Sequence, residues 1–383
     1  MNFSLLIGIW LGILQLPEAQ LPFRFEFRND DGHPVMIIYN ADEKIVCDEI
    51  STKGDSLFIR LPLYDSEFRL KMGVGELKGN WINRGRRTPA TIAFSATKDI
   101  TGRFPLSGKG SSAPLAEGRW ETWFDAGSPD SSLAIGLFRV KDQVVHGTFL
   151  TESGDHRFLE GVIDGDSLKL SVFDGAHAWL YLARVQGESM EGLYYSGNHY
   201  KGPFRAKRND SISLRDPSGI TRVEGPFDFR LPDPDSNLVS LTDVEYRNKV
   251  RLIQIMGSWC PNCMDETVFL DSVYRLRREE GLEVIGLAFE RPENFSLAAE
   301  NVRRMKKRLQ VSYPVLIAGV AKKGEVEKVL PAVQGFFSYP TLMVIDRKGQ
   351  VVKVHTGFSG PATGEAWVRY QAEFRKMLDR ILR

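Results

Sequence analysis

Between residues 21 and about 208, apolar positions come in short runs, many of them alternating with polar ones. Gly, Asn, Asp and Ser separate the runs. Val35-Met36-Ile37-Ile38-Tyr39, Ser56-Leu57-Phe58-Ile59-Arg60-Leu61, Thr91-Ile92-Ala93-Phe94 and Leu168-Lys169-Leu170-Ser171-Val172-Phe173 have the length and period of strands. Many short strands with regular turn signals predict an all-β region, sandwich or barrel-like. A glycine two residues before an aromatic recurs in Gly79-Asn80-Trp81, Gly118-Arg119-Trp120, Gly147-Thr148-Phe149 and Gly192-Leu193-Tyr194. The echo has no fixed period and reads as hairpin repetition in a meander.

After a polar, turn-prone stretch over residues 209–225, which includes Pro217-Ser218-Gly219, the pattern changes. Val250-Arg251-Leu252-Ile253-Gln254-Ile255-Met256 reads as a buried strand. Cys263, Glu266, Leu270 and Val273 then fall at offsets of three, seven and ten, on one helical face. Glu283-Val284-Ile285-Gly286-Leu287-Ala288 is another buried strand. Ala298, Val302, Met305 and Leu309 mark a helix whose other face is basic, from Arg303 to Arg308. Pro314-Val315-Leu316-Ile317 is a short strand, and Trp367, Tyr370, Phe374, Met377 and Ile381 line a final helix. Strands alternating with helices predict an α/β domain over residues 226–383. The β-rich region, residues 20–208, is one domain or two, with a candidate boundary near 73. Gly108-Lys109-Gly110-Ser111-Ser112-Ala113-Pro114 reads as an exposed loop.

The start of the chain is different again. Residues 5–14 are apolar apart from glycines, and Pro17-Glu18-Ala19-Gln20 offers a cleavage site after Ala19. The run is too short to cross a bilayer and reads as the core of a signal peptide over residues 1–19. No Lys or Arg precedes it, and a buried N-terminal strand or helix is the alternative. The signal reading predicts a mature chain that is exported to the periplasm and does not span the membrane. Fifty basic and 49 acidic residues leave a net charge of +1, which gives no bulk attraction for nucleic acid.

The chemistry concentrates in Gly257-Ser258-Trp259-Cys260-Pro261-Asn262-Cys263, at a strand-to-helix junction. Pro261 suits the first helical turn, where its missing N–H has no intrahelical partner to lose. Free backbone N–H groups and the helix dipole favour a thiolate there, the attacking species in disulfide exchange. Cys260 is assigned as nucleophile and Cys263 as resolving thiol. Structural zinc needs four ligands; the chain has three cysteines, and the third, Cys47, is about two hundred residues away. The six histidines show no paired ligand spacing. No metal and no cofactor beyond a redox-active Cys260–Cys263 disulfide is expected. Cys47 reads as a buried, inert thiol.

Trp259-Cys260-Pro261-Asn262-Cys263 after an apolar strand resembles the active site of the thioredoxin-like superfamily, in particular the TlpA/ResA-type thiol-disulfide oxidoreductases. Phe227-Asp228-Phe229-Arg230-Leu231 with Val239-Ser240-Leu241 resembles that branch's extra N-terminal hairpin. Tyr339-Pro340-Thr341 before Leu342-Met343-Val344-Ile345-Asp346 resembles its cis-proline loop. The resemblance covers about residues 225–383. It implies a thioredoxin-like fold and substrate contacts at Trp259, Pro261, Asn262, Tyr339, Pro340 and Thr341. It also implies that Glu266, buried near the cysteines, takes the proton of Cys263. The implied partners are protein thiols and disulfides in the cell envelope and a membrane thiol-disulfide electron donor. Two departures stand out: Thr267-Val268 follow the glutamate where the family usually has a proline, and Asn262 replaces the commoner Gly-Pro style of intervening pair.

Two other readings stay open. A thiol peroxidase usually has Thr or Ser three positions before its cysteine, whereas Gly257 stands there. A binding protein would use the β-rich half for a ligand or partner, with Trp81, Trp120, Trp123, Tyr194, Tyr195 and Tyr200 as cavity or core. Arg84-Gly85-Arg86-Arg87 is an anion grip or a solvated turn.

Overall fold

The computed structural model describes residues 3–86, 88–107 and 113–383. Arg87 and the Gly108–Ser112 part of the expected loop lie outside the described residues. The chain divides into two compact units. One holds Met1–Thr151 and His156–Leu214; the other holds Glu152–Asp155 and Arg215–Arg383.

The first unit is all-β, as its alternating pattern predicts. Nine antiparallel strands between Gly8 and Lys98 form one sheet, whose edges are Glu43–Cys47 and Glu49–Lys53. Along Ser66–Met72 and Ala90–Lys98 buried and solvent-facing residues alternate strictly. A second meander, from Gly118–Phe124 to Tyr200–Arg208, closes on itself. Its first and last strands pair, and Ser132–Lys141 pairs with both Gly118–Phe124 and Val144–Thr151. Strands can coil this tightly only where one backbone comes close to the next. A Cβ on Gly147 would lie 2.0 Å from the Leu137 carbonyl oxygen, which accounts for that glycine. Trp120, Phe124, Phe138, Phe149, Tyr181 and Phe204 fill the interior.

Trp81, Trp120 and Tyr195 are therefore core, whereas Trp123 and Tyr200 are exposed. Phe23 of the first sheet stacks on Phe173 of the second at 4.5 Å. Arg103, 4 % exposed, ties the two sheets: its guanidinium donates to the Tyr39 carbonyl of the first sheet and to the Ser171 carbonyl at 3.0 Å and Glu160 at 3.3 Å in the second. Arg84 pairs with Glu67.

Two boundaries differ from expectation. The sheet runs through residue 73, since Ser66–Met72 pairs with Glu76–Asn83, so no domain break falls there. The linker is shorter, because Arg222–Val223 already pairs with Val333–Gln334 in the second unit.

The N-terminal apolar run is a correction of a larger kind. Gly8–Gln15 is a strand between Gln20–Asp30 and Ala90–Lys98, paired on both sides. Trp10 is 1 % and Leu14 0 % exposed, and the Trp10 indole N–H donates to the Leu6 carbonyl. The alternation that a strand needs is present in Trp10, Gly12 and Leu14, but glycine and leucine also satisfy a signal core. Residues 8–15 are thus part of the folded sheet.

The second unit has a five-stranded sheet in the order Val315–Val320, Leu282–Glu290, Val250–Met256, Thr341–Ile345, Val351–Thr356. The first three strands are parallel; Thr341–Ile345 runs antiparallel to them, and Val351–Thr356 pairs antiparallel with Thr341–Ile345. All seven residues of Val250–Met256 are buried, as expected for a central strand covered on both faces. Helices Pro261–Arg277, Phe295–Leu309 and Glu365–Leu382 accompany it. The expected hairpin is Arg230–Pro232 with Leu238–Ser240.

Deleting residues 1–19 is expected to leave Gln20–Asp30 and Ala90–Lys98 as unpaired edges and to yield an aggregated, unfolded first unit. Leu14→Ala should cost about 2–5 kcal/mol. Circular dichroism and urea unfolding check both. A truncated chain of native stability would sink the strand assignment.

Candidate active site

The site forms where the central strand ends and the helix Pro261–Arg277 begins. Cys260 is the helix N-cap, with extended backbone, and its sulfur accepts the Cys263 N–H at 3.4 Å. Pro261 occupies the first turn. The Cys260 thiol also points at the Tyr339 carbonyl, 4.0 Å away, and the Tyr339–Pro340 peptide bond is cis. Cys260 is 8 % and Cys263 0 % exposed, so one sulfur approaches the surface and the other lies behind it. Cys260 and Cys263 are thiols here, and the distant Cys47 is buried and forms no disulfide.

Glu266 lies one helical turn beyond Cys263 and is 0 % exposed. Its Oε2 accepts from the Gln254 amide at 2.9 Å, while Oε1 has no hydrogen-bond partner. Burial pushes the carboxyl up to about 8, against a lowering contribution from Gln254. Burial likewise pushes the Cys263 thiol well above its ordinary value. The hydrogen bond and charge of Cys260 add to this, and the nearby Glu266 adds less.

Gln254 was not singled out from the sequence, although a lone amide between Ile253 and Ile255 in a buried strand was the signal. It donates to Glu266 and to the Cys263 carbonyl, and accepts from Thr267 at 3.0 Å and Tyr313 at 3.2 Å. Thr267, one of the departures noted above, thus fills a hydrogen-bonding place that proline could not.

The other expected residues separate into two groups. Trp259 faces Tyr339 edge-on at 5.4 Å, and with Cys260 and Pro340 they form one cluster. The Trp259 indole N–H donates to the Phe289 carbonyl and Arg291 lies over its ring at 4.3 Å. A Cβ on Gly257 would meet that indole at 2.3 Å, which explains the glycine there. Asn262 is half-buried, its amide 3.5 Å from the Asp155 carbonyl of the same unit. Thr341 is buried and its hydroxyl donates to the Ser338 carbonyl, so it shapes the loop from within. Glu290, also missed from the sequence, is buried behind the cysteine loop and bonds Ser258.

With this geometry in place, the chain shows likeness to known proteins over its C-terminal part. Residues 223–367 match the Redoxin family model. The C-terminal part of the chain is therefore similar to Redoxin-family proteins. More particularly, it is similar to thiol-disulfide oxidoreductase ResA. It is 28 % identical to that of Geobacillus thermodenitrificans over 130 residues, 34 % of this chain and 66 % of the relative. Against ResA of Halalkalibacterium halodurans the identity is 28 % over 136 residues, 35 % of this chain and 68 % of the relative. The chain thus spans about two thirds of the length of the curated relatives it matches. A thioredoxin-family thiol:disulfide interchange protein from Chlorobium tepidum is 21 % identical, with a TM-score of 0.33, over 42 % of this chain and 98 % of that one.

The carboxyl of Glu266 sets a pH dependence. Its folded value is about 8 against an ordinary 4.5, so the folded state holds a proton that the unfolded state has lost between those values. Stability therefore falls as pH rises through that window. Glu266→Gln removes this dependence. Its advantage over the native chain should be absent below pH 4.5, grow to a few kcal/mol and level off above pH 8. The measurement is the urea midpoint for exposing Cys263 to a thiol reagent. A pH-independent difference would contradict a buried neutral carboxyl.

Proposed function

We propose that the chain reduces disulfides in exported proteins, with Cys260 attacking, Cys263 resolving and Glu266 accepting the resolving thiol's proton. One observation carries this reading: a buried carboxyl with an unpartnered oxygen stands one helical turn from a buried thiol. A base titrating near neutrality is suited to that transfer.

The Cys260 thiolate attacks one sulfur of the substrate disulfide. That S–S bond breaks, a Cys260–substrate disulfide forms, and the departing thiolate takes a proton from solvent. Cys263 gives its proton to Glu266 in its carboxylate form, the minority form below about pH 8, and attacks Cys260. The mixed disulfide breaks, the second substrate thiol leaves, and Cys260–Cys263 becomes a disulfide. Two electrons have passed to the substrate, so a dithiol donor must restore the pair; a membrane thiol-disulfide carrier fits the resemblance. Trp259, Tyr339 and Pro340 flank the attacking sulfur and offer the surface on which an extended substrate would lie.

Periplasmic location now rests on the resemblance alone, since residues 8–15 are a strand. No helix among the described residues is long and apolar enough to cross a membrane.

Cys260→Ser should abolish turnover of a protein disulfide, and Cys263→Ser should accumulate the mixed disulfide. Glu266→Gln should leave its formation intact and slow its resolution by about 100-fold. Gel-shift trapping and quenched-flow kinetics separate the steps. A Glu266→Gln chain that resolves at the native rate removes the base. The reduction potential of the pair, by equilibration with glutathione or dithiothreitol, tests direction. A value near or below roughly −270 mV supports a reductase, and one near roughly −120 mV means a disulfide donor.

A further inference from the structure

The cysteine loop is gripped from behind by three consecutive residues at the end of the strand Leu282–Glu290 and just past it. Phe289 accepts the Trp259 indole N–H at 3.0 Å. Arg291 lies over the face of the same indole. Between them, Glu290 is 1 % exposed and uses both carboxyl oxygens on one residue. Oε1 accepts the Ser258 N–H and Oε2 accepts the Ser258 hydroxyl, each at 2.7 Å. The Asn301 side chain adds a further hydrogen bond.

Ser258 is two residues before Cys260 and is itself 5 % exposed. A two-point bond from one carboxyl to the N–H and hydroxyl of one residue fixes both its backbone and its rotamer. The Cys260 N–H closes the turn onto the Gly257 carbonyl at 3.0 Å, so the residues from Gly257 to Cys260 form one short loop held through Ser258. We propose that Glu290 is a positioning residue for the exchange reaction, holding the Ser258 turn so that the Cys260 sulfur stays at the helix N-terminus. It does not touch the reacting sulfur in this arrangement; it acts through Ser258. The inference rests on Cys260 being the attacking thiol. Burial pushes the Glu290 carboxyl up, against the lowering effect of the Ser258 hydrogen bonds.

A positioning role depends on bond geometry rather than on charge. Glutamine can keep both contacts, since its carbonyl accepts the Ser258 N–H and its amide donates to the Ser258 hydroxyl, which then acts as acceptor. Alanine can keep neither.

The full chain is compared as native, Glu290→Gln, Glu290→Ala, Ser258→Ala and the Ser258→Ala/Glu290→Ala double variant. Two rates are read: iodoacetamide alkylation of Cys260, and kcat/KM on a protein disulfide. Glu290→Ala should lower both by about 10- to 100-fold, the loss expected when a reacting group is displaced. Glu290→Gln should stay within about threefold of native. Ser258→Ala should fall between, and the double variant should be no slower than Glu290→Ala, because the two residues share one interaction.

A Glu290→Ala chain within about threefold of native overturns the proposal. So does a Glu290→Gln chain as slow as the alanine variant. If Glu290→Ala does not fold, Ser258→Ala decides: several-fold slower alkylation beside a native-like Glu290→Gln supports the proposal, and a native rate overturns it. Alkylation needs no substrate protein. A native chain that is alkylated yet reduces no disulfide would therefore defeat the functional reading and leave this comparison intact.

Discussion

Burying a carboxyl without a charged partner is costly, and the site of the second unit is built around one such group. Glu266 is kept from water on the inner face of the active-site helix. A charged carboxylate there would lose several kcal/mol of hydration, so the neutral form persists to near-neutral pH. The surroundings follow from this constraint. The central strand carries a glutamine where every neighbour is apolar, and that amide bonds Glu266, the Cys263 carbonyl, Thr267 and Tyr313. Half-satisfied polar networks are unfavourable in a core. The amide here is fully used, and the one buried atom of the set without a partner is the Glu266 oxygen.

The first unit meets a different constraint, that of coiling strands around aromatic cores. Its closed meander brings backbones close together where the recurring glycines stand, and large rings fill the space enclosed. One buried charge cluster lies where the two sheets meet. Glu160 accepts from Arg24 at 2.9 Å and from Arg103 at 3.3 Å. Pairs of this kind contribute little net stability, but removing one partner leaves an uncompensated charge in the interior. They set how the sheets lie within the unit more than how strongly it holds together.

Much of this was legible in the sequence, because local period decides element type. The switch from alternating short runs to strand–helix alternation near residue 226 marks a real change of architecture. The cysteine motif, the hairpin and the proline loop all lie where their patterns place them. The N-terminal strand was misjudged because eight apolar residues with two glycines satisfy a signal core and a central strand equally well. Only the pairing with Ala90–Lys98, far away in sequence, separates the two. Gln254, Tyr313 and Glu290 were missed for a related reason. Each is one polar residue in or beside an apolar run, and its role depends on a partner 12 to 59 residues away.

The two buried acids of the site differ in one respect that sorts their chemistry. Glu266 has an oxygen with no donor bound to it, whereas both Glu290 oxygens are occupied by Ser258. A carboxyl can receive a proton from a thiol only through an oxygen free to take it. A carboxyl whose oxygens are both engaged by one residue would have to release that residue first. The same side chain, buried to the same degree in the same unit, is therefore suited to proton transfer in one place and to holding a loop in the other. Hydrogen-bond occupancy, not burial or charge, makes the difference.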